Sequence, residues 1–311
     1  MPVQSISRPP GPIEHPLQRG QAPEWASEWG HDELGPFAVL ELDGEKGPAA
    51  RQRFRYIPPG SFVMGSPADE PGRDSDEGPQ HLVTLTQGFW MADTPCTQAF
   101  WRAVMGTSPS FFVADQHPVE TVSWDTVQEF LKMLNARVPG LEVALPTEAQ
   151  WEYACRADSQ TALYRSAKGD GTMQIVGGRK APALGAIAWY GGNSEAPKGI
   201  KNAYDSSDWS EKEIAHKRAS TQPVAGKLAN EWGLYDMLGN VDEWCADGPR
   251  DYRDQPETDP VGPTGGGSRV FRGGGWHSIA RFVRCADRYH SSADYVNDGL
   301  SFRLVRVQER S

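Results

Sequence analysis

WGLYDMLGNVDEWCAD, Trp232 to Asp247, and RVFRGGGWHS, Arg269 to Ser278, are the stretches that decide how this chain folds. In the first, Asp236 and Glu243 bracket a Gly239-Asn240 turn. That spacing has two outcomes. The turn side chains can bond neighbouring amides, as Asp and Asn do in tight turns. Alternatively, both carboxylates and the carbonyls of Gly239 and Val241 can converge on calcium, a hard cation held by oxygen. In the second stretch, RGGGW and the later FRLV, Phe302 to Val305, form a rigid frame around residues 277–301.

Outward from this frame, LPTEAQWEYACRA carries a capping-box pair, Thr147 and Gln150, and an inward stripe of Trp151, Ala154 and Cys155. Ser123 is placed to cap a second helix, with Val127, Phe130, Leu131 and Leu134 at helical spacing and an end before Pro139-Gly140. TQAFWRAVMG predicts a shorter helix stopped by Gly106. Phe37 to Leu42 and Gln52 to Ile57 flank the turn-forming DGEKGP and predict a hairpin, and strands follow at Gly60 to Ser66 and His81 to Thr86. The acidic loop between them, PADEPGRDSDEGPQ, reads as a solvated surface, with a metal role the lesser alternative. Residues 157–230 show no period and read as long surface loops.

Composition narrows the function. The 11 Trp, 11 Phe and 9 Tyr supply a core, while 33 Gly and 25 Pro predict frequent turns in an α+β, loop-rich body. A formal charge of −10 argues against a nucleic-acid partner, because phosphate backbones require clustered Lys and Arg. Cys96, Cys155, Cys245 and Cys285 lack C-x-x-C spacing and read as buried thiols. With no signal-like N-terminus and no apolar run of spanning length, no membrane partner is expected and the cytoplasm is the expected compartment. Residues 1–22 read as a flexible arm, 23–52 as a lead-in packed on the main domain, and 53–308 as that domain.

IPPGSFVMGSP, EGPQHLVTLTQGFWMADTPCTQAFW, HPVETVSW, LPTEAQWEYACRA, WGLYDMLGNVDEWCAD and RVFRGGGWHS…GLSFRLV resemble, in order, the signature blocks of the formylglycine-generating (sulfatase-modifying factor) family. The resemblance implies an α+β fold related to C-type lectins, with structural calcium at Asp236, Gly239, Val241 and Glu243. Asp242 departs from it, standing where the family usually has tryptophan. A second calcium site would begin at Asn193, but its acidic partner is not recognisable. Catalytic members carry a copper-binding cysteine pair shortly after the glycine-rich block. Here that stretch, Gly275 to Val283, has no cysteine, so copper is not expected. Cys285, in RCADR, matches a structural element instead. An oxidase could still assemble a metal centre from His277, His290 and a carboxylate.

The segment from His277 to Ser301, HSIARFVRCADRYHSSADYVNDGLS, contains no Lys, Glu, Gln, Met or Trp. Those five residues cannot be reached from an Asn codon by changing only its adenines, whereas the His, Ser, Ile, Phe, Val, Asp, Tyr, Asn and Leu found there can. This spectrum, on this fold, resembles the variable proteins of diversity-generating retroelements, in which a lectin-like scaffold presents a mutagenised C-terminal surface. The resemblance implies that a protein or other macromolecular ligand is bound by His277, Ser278, Ile279, Arg281, Phe282, Val283, Asp287, Tyr289, His290, Ser291, Asp294, Tyr295, Asn297 and Asp298. Phe282, Tyr289 and Tyr295 offer rigid contact area, while Trp151, Trp244 and Trp276 belong inside. A residual metal-dependent oxidase and an undiversified interaction module remain the alternatives.

Overall fold

Three side-chain hydroxyls open the α-helices of the computed structural model, which describes residues 23–43, 49–166, 174–175 and 179–307. Thr97 accepts the Phe100 N–H at 3.2 Å ahead of α1 (Gln98–Met105), and Ser123 accepts the Thr126 N–H at 3.1 Å ahead of α2 (Trp124–Arg137). Thr147 accepts the Gln150 N–H at 3.1 Å ahead of α3 (Glu148–Arg156), and Gln150 accepts the Thr147 N–H in return. Each cap supplies an acceptor to an N–H that the helix itself cannot satisfy. Gly106 then ends α1 in the left-handed region, as its position predicts.

The expected hairpin forms between Gly35–Leu42 and Ala50–Ile57; of its turn, residues 44–48 lie outside the described residues, as does the arm 1–22. A strand that the sequence pattern did not reveal, Glu28–Asp32, pairs on its outer side. Phe89–Ala92 and Val305–Val307 complete this antiparallel five-stranded sheet, so the lead-in and the end of the domain share one sheet. Trp25 of the lead-in is buried edge-on against Phe54, with ring centroids 5.3 Å apart. A three-stranded sheet joins Gly60–Met64, His81–Leu85 and Glu257–Thr258. The sheet that carries the site has the order Arg288–Ser292, Ser268–Arg272, Asp242–Trp244 and Leu300–Ser301.

Two large clusters and a smaller one around Phe112 and Trp276 fill the interior among the described residues, and Trp90, Trp101, Trp151 and Trp244 are fully buried in the larger two. Trp151 donates its indole N–H to Glu243 at 2.8 Å and Trp244 donates to the Val122 carbonyl at 3.1 Å, so neither ring buries an unmet donor. The described residues between 157 and 230 carry only a 3-10 turn, Pro182–Ala186, and a two-residue strand pair, Tyr204–Asp205 with Arg218–Ala219, but the expectation of a surface location is wrong for many of them. Leu163, Tyr164, Leu184, Ala188 and Tyr190 belong to the core. With so little regular structure, polar groups here are met by bonds between distant parts of the segment, such as Tyr164 Oη to the Ile187 and Leu228 carbonyls.

The acidic loop is a solvated face only in part: Asp69 and Asp76 are exposed, but two of its acids turn inward. Glu70 and Glu77 are buried on the guanidinium of Arg284, which reaches Glu70 at 2.6 Å and Glu77 Oε2 at 2.8 Å. Arg284 is one of four arginines near the C-terminus that are buried on carboxylates. Arg272 reaches Glu152 at 2.5 Å, and Arg288 is bidentate on Glu148 at 2.7 and 2.8 Å. Arg303 is bidentate on Glu243 at 2.6 Å to each oxygen. Planar fork geometry of this kind is what lets a buried charge pair offset its loss of water.

Arg303→Met is expected to cost about 3–5 kcal/mol, the range for leaving a buried partner charge unpaired. Urea unfolding should show the loss equally with and without added calcium. Burial pushes two other carboxyls, Asp93 and Glu120, up to about 7, against nearby arginines for Asp93 and donated hydrogen bonds for Glu120. The folded protein therefore retains protons that the unfolded chain has lost. Their contribution to stability is present at acidic pH and fades as pH rises from about 5 to 7, by at most about 1.4 kcal/mol per pH unit for each group. Urea midpoints across that range should fall as pH rises.

Candidate functional site

Ser268–Arg272 and Arg288–Ser292 pair antiparallel, with Phe271 opposite Tyr289 and Val270 opposite His290. Alternation along these strands sends Val270, Arg272 and Arg288 to a buried face, and Phe271 and Tyr289 to the other. Phe271 and Tyr289 stack there, 5.9 Å apart and 14° from parallel, and Phe282 meets Tyr289 edge-on at 5.7 Å. Past Arg272 the chain turns through Gly273 and Gly274, both at positive φ. A Cβ on Gly274 would lie 2.6 Å from the Phe282 carbonyl oxygen, so only glycine lets the 280–282 turn close down at this point.

The closure leaves a cavity of about 370 Å³ above the sheet. Seven of the expected ligand-binding residues line it: His277, Ser278, Ile279, Phe282, Tyr289, Tyr295 and Asn297. Asp242, Phe271, Gly274 and Leu300 complete the wall. Asp242 is the consequential addition. Its Oδ1 accepts the Gly274 N–H at 2.9 Å, and burial pushes its carboxyl up to about 7, aided by the neighbouring Glu243. The chain signals this position only by putting a carboxylate where the family resemblance calls for an aromatic ring.

The remaining seven fall elsewhere. Val283 and Asp287 are buried, a correction to their assignment as ligand contacts: Val283 is in the core and Asp287 faces Arg284 at 3.3 Å. Between the 280–282 turn and the strand that starts at Arg288, the chain runs through the interior, so every residue from Val283 to Arg288 is buried. Arg281 bonds Asp74 at 2.8 and 3.0 Å, with its guanidinium 4.8 Å from the Phe282 ring centroid. His290 sits on the other face of the sheet beside Ser268, so it does not meet His277 in a metal centre. Ser291 is half-buried and Asp294 exposed, while Asp298 is half-buried and its carbonyl accepts the Trp276 N–H at 3.1 Å.

Trp276 is buried, packed edge-on against Phe112 at 5.1 Å and beside Trp209 and Tyr204. Tyr204 and Phe111 leave this cluster partly exposed next to the segment, a neighbourhood that no spacing in the sequence announces. Cys155 and Cys285 are buried free thiols with their sulfurs 3.6 Å apart, and burial pushes the Cys155 thiol up.

Of the four residues expected to bind calcium, Glu243 and Gly239 are engaged within the protein, while Asp236 keeps its Oδ1 buried with no hydrogen-bond partner among the described residues. Both oxygens of Glu243 are held by Arg303, and one also accepts from Trp151. Asp236 accepts the Ala225 N–H at 2.7 Å, and the Gly239 carbonyl accepts the Val241 N–H at 2.8 Å. Asn240 pairs with the Gln222 backbone in both directions, which leaves the turn built from local amide bonds. At the Asn193 position, the side chain is engaged with Tyr190 N–H and the Ala188 carbonyl. Among the described residues, one cluster of three acids has metal-ligand spacing, Asp74, Glu77 and Asp287, and Arg284 already lies on Glu77 and Asp287.

Short mixed sheets, three helices, long irregular connections and a cavity over the C-terminal sheet define the α+β, formylglycine-generating-enzyme-like fold related to C-type lectins. Residues 45–308 match the model of the sulfatase-modifying factor enzyme 1-like domain, and the chain belongs to that family. It is 32% identical over 212 residues to the formylglycine-generating enzyme of Streptomyces coelicolor, covering 67% of this chain and 58% of that protein. It is 30% identical over 234 residues to the mouse (Mus musculus) enzyme, covering 72% and 53%. The chain thus spans little more than half the length of these enzymes. It is also 29% identical over 259 residues to the chaperone protein LppX of Paenibacillus barcinonensis, 72% of this chain and 81% of that one. In fold it resembles Treponema denticola variable protein 1, with a TM-score of 0.63, 23% identity and coverage of 86% and 98%. PvdO from Pseudomonas aeruginosa is similar in fold, with a TM-score of 0.61, 22% identity and coverage of 91% and 99%.

Tyr295→Ala removes a partly exposed ring and is expected to change unfolding free energy by less than about 1 kcal/mol, whereas Trp276→Ala should cost about 3–5 kcal/mol. Denaturant titration of the two variants beside the parent protein checks both.

Proposed function

We propose that this chain is a ligand-binding member of its family, in which residues 277–301 form a diversified recognition surface on a constant scaffold, as in the variable proteins of diversity-generating retroelements. One observation carries the proposal: side chains of this segment divide into two sets by position. His277, Ile279, Phe282, Tyr289, Tyr295 and Asn297 face the cavity, while Val283, Arg284, Cys285, Ala286, Asp287 and Arg288 are buried and hold the segment in place. The first set can change identity without touching the bonds made by the second. Rigid aromatics interspersed with serine, asparagine and histidine are a paratope-like mixture, suited to a protein or other macromolecular ligand. The likeness in fold to Treponema denticola variable protein 1 is consistent with this use of the scaffold.

Sequencing the DNA that flanks the gene tests the proposal. The expected result is a near-copy of codons 273–303, with adenines at the differing positions, beside a reverse-transcriptase gene. Differences between template and gene should fall on cavity-facing and exposed positions and spare Arg284 and Arg288. Flanks holding neither template nor reverse transcriptase would overturn active diversification. Identity to two formylglycine-generating enzymes favours a second reading, a metal-dependent oxidase acting on a non-sulfatase substrate. Reductant-dependent oxygen uptake with stoichiometric copper or iron would select it.

A further inference from the structure

We propose that the cavity selects a protonated alkylamine, a lysine side chain or a free amine of the same shape, with its ammonium on Asp242 and its stem between aromatic rings. The inference rests on the reading of the cavity as a ligand site and adds the chemistry of what enters it. Asp242 is the one carboxylate among the lining residues, and no Lys or Arg stands with it. Its Oδ1 is engaged by the Gly274 N–H, and Oδ2 has no protein donor among the described residues. The neighbouring anion Glu243 is compensated by Arg303, and Arg281, in the turn between Ile279 and Phe282 of the cavity wall, is turned onto Asp74. The cavity therefore presents one carboxyl oxygen with no protein partner among the described residues, and the group is anionic above the pKa of about 7 to which burial pushes it.

The walls add to the same preference. Phe271, Phe282, Tyr289 and Tyr295 line the same cavity as the acid, and the faces of such rings attract cations as well as covering methylene groups. Arg281 shows the same preference locally, with its guanidinium 4.8 Å from the Phe282 ring centroid. A guanidinium ligand fits less well than an ammonium. Its planar fork needs both carboxylate oxygens for a bidentate pair, and here one is occupied, whereas an ammonium is served by a single oxygen. A neutral ligand would leave the carboxylate without a charged partner in a largely apolar wall.

Titration of the full-length protein with small probes, followed by amide NMR shifts, tests the proposal. n-Butylammonium should bind with a Kd of about 1–10 mM, a strength ordinary for so small a ligand, and should shift the Gly274 and Ser278 amides. 1-Butanol and n-propylguanidinium should each bind at least about tenfold more weakly, a difference of roughly 1.4 kcal/mol or more. Asp242→Asn should abolish the preference for ammonium over butanol. Nα-acetyl-lysine methylamide binding more tightly than butylammonium would indicate a polypeptide source, and the reverse order a free amine. Equal affinity for butanol and butylammonium on the unaltered protein, or an unchanged preference in Asp242→Asn, would overturn the amine assignment and leave the cavity a ligand site. If no probe shifts any cavity resonance, the underlying ligand-site reading fails as well.

Discussion

Four buried guanidiniums tie the C-terminal end of the chain to parts of the protein far from it in sequence. Arg272 and Arg288 are held by Glu148 and Glu152 of α3, Arg284 by the 70–77 loop, and Arg303 by Glu243. A buried ion pair adds little net stability over an apolar pair of the same shape, but removing one partner is costly. The arrangement therefore constrains position more than it stabilises. Arg272 and Arg288 also donate to the carbonyls of Cys285, Asp76 and Arg250, so the backbone of the segment is fixed by bonds that ignore the identity of its outward side chains.

This division of labour explains how an aromatic cavity can sit on a sheet with so little regular structure around it. The rings of Phe271, Phe282 and Tyr289 keep their mutual geometry because the strands below them are fastened from the opposite face. Asp242 is positioned by the strand that also carries Glu243, with alternating side chains sending one carboxylate toward the cavity and the next into the core. Adjacent acids in one strand thus meet opposite fates, one compensated by Arg303 and one left for a ligand.

Much of this was legible in the sequence where the controlling interaction is local. Helix caps at Ser123 and Thr147 involve partners three residues away, and the hairpin follows from alternation and a turn. The ring contacts Phe282, Tyr289 and Tyr295 were legible as a surface through their company of small polar residues. What failed was governed by distant partners. A charge run such as residues 67–80 reads as solvated until Arg284, more than two hundred positions later, is placed against it. Asp287 and Val283 read as surface because nothing nearby signals that the turn before them points inward. Residues 157–230 lack any period, and burial without periodic structure leaves no mark on spacing. At the Asp236 to Glu243 turn the partner that spacing does not announce is Arg303, sixty positions later, which lies on the Glu243 carboxylate.

The antiparallel ladder between Ser268–Arg272 and Arg288–Ser292 has a consequence for how such a segment can vary through descent. Replacing one side chain by another leaves the two-residue repeat intact, but inserting or deleting a single residue before Arg288 would exchange the faces, sending Tyr289 into the interior and withdrawing Arg288 from Glu148. Lineages of this protein are thus free to explore composition within a fixed length, unlike binding proteins whose hypervariable loops also grow and shrink.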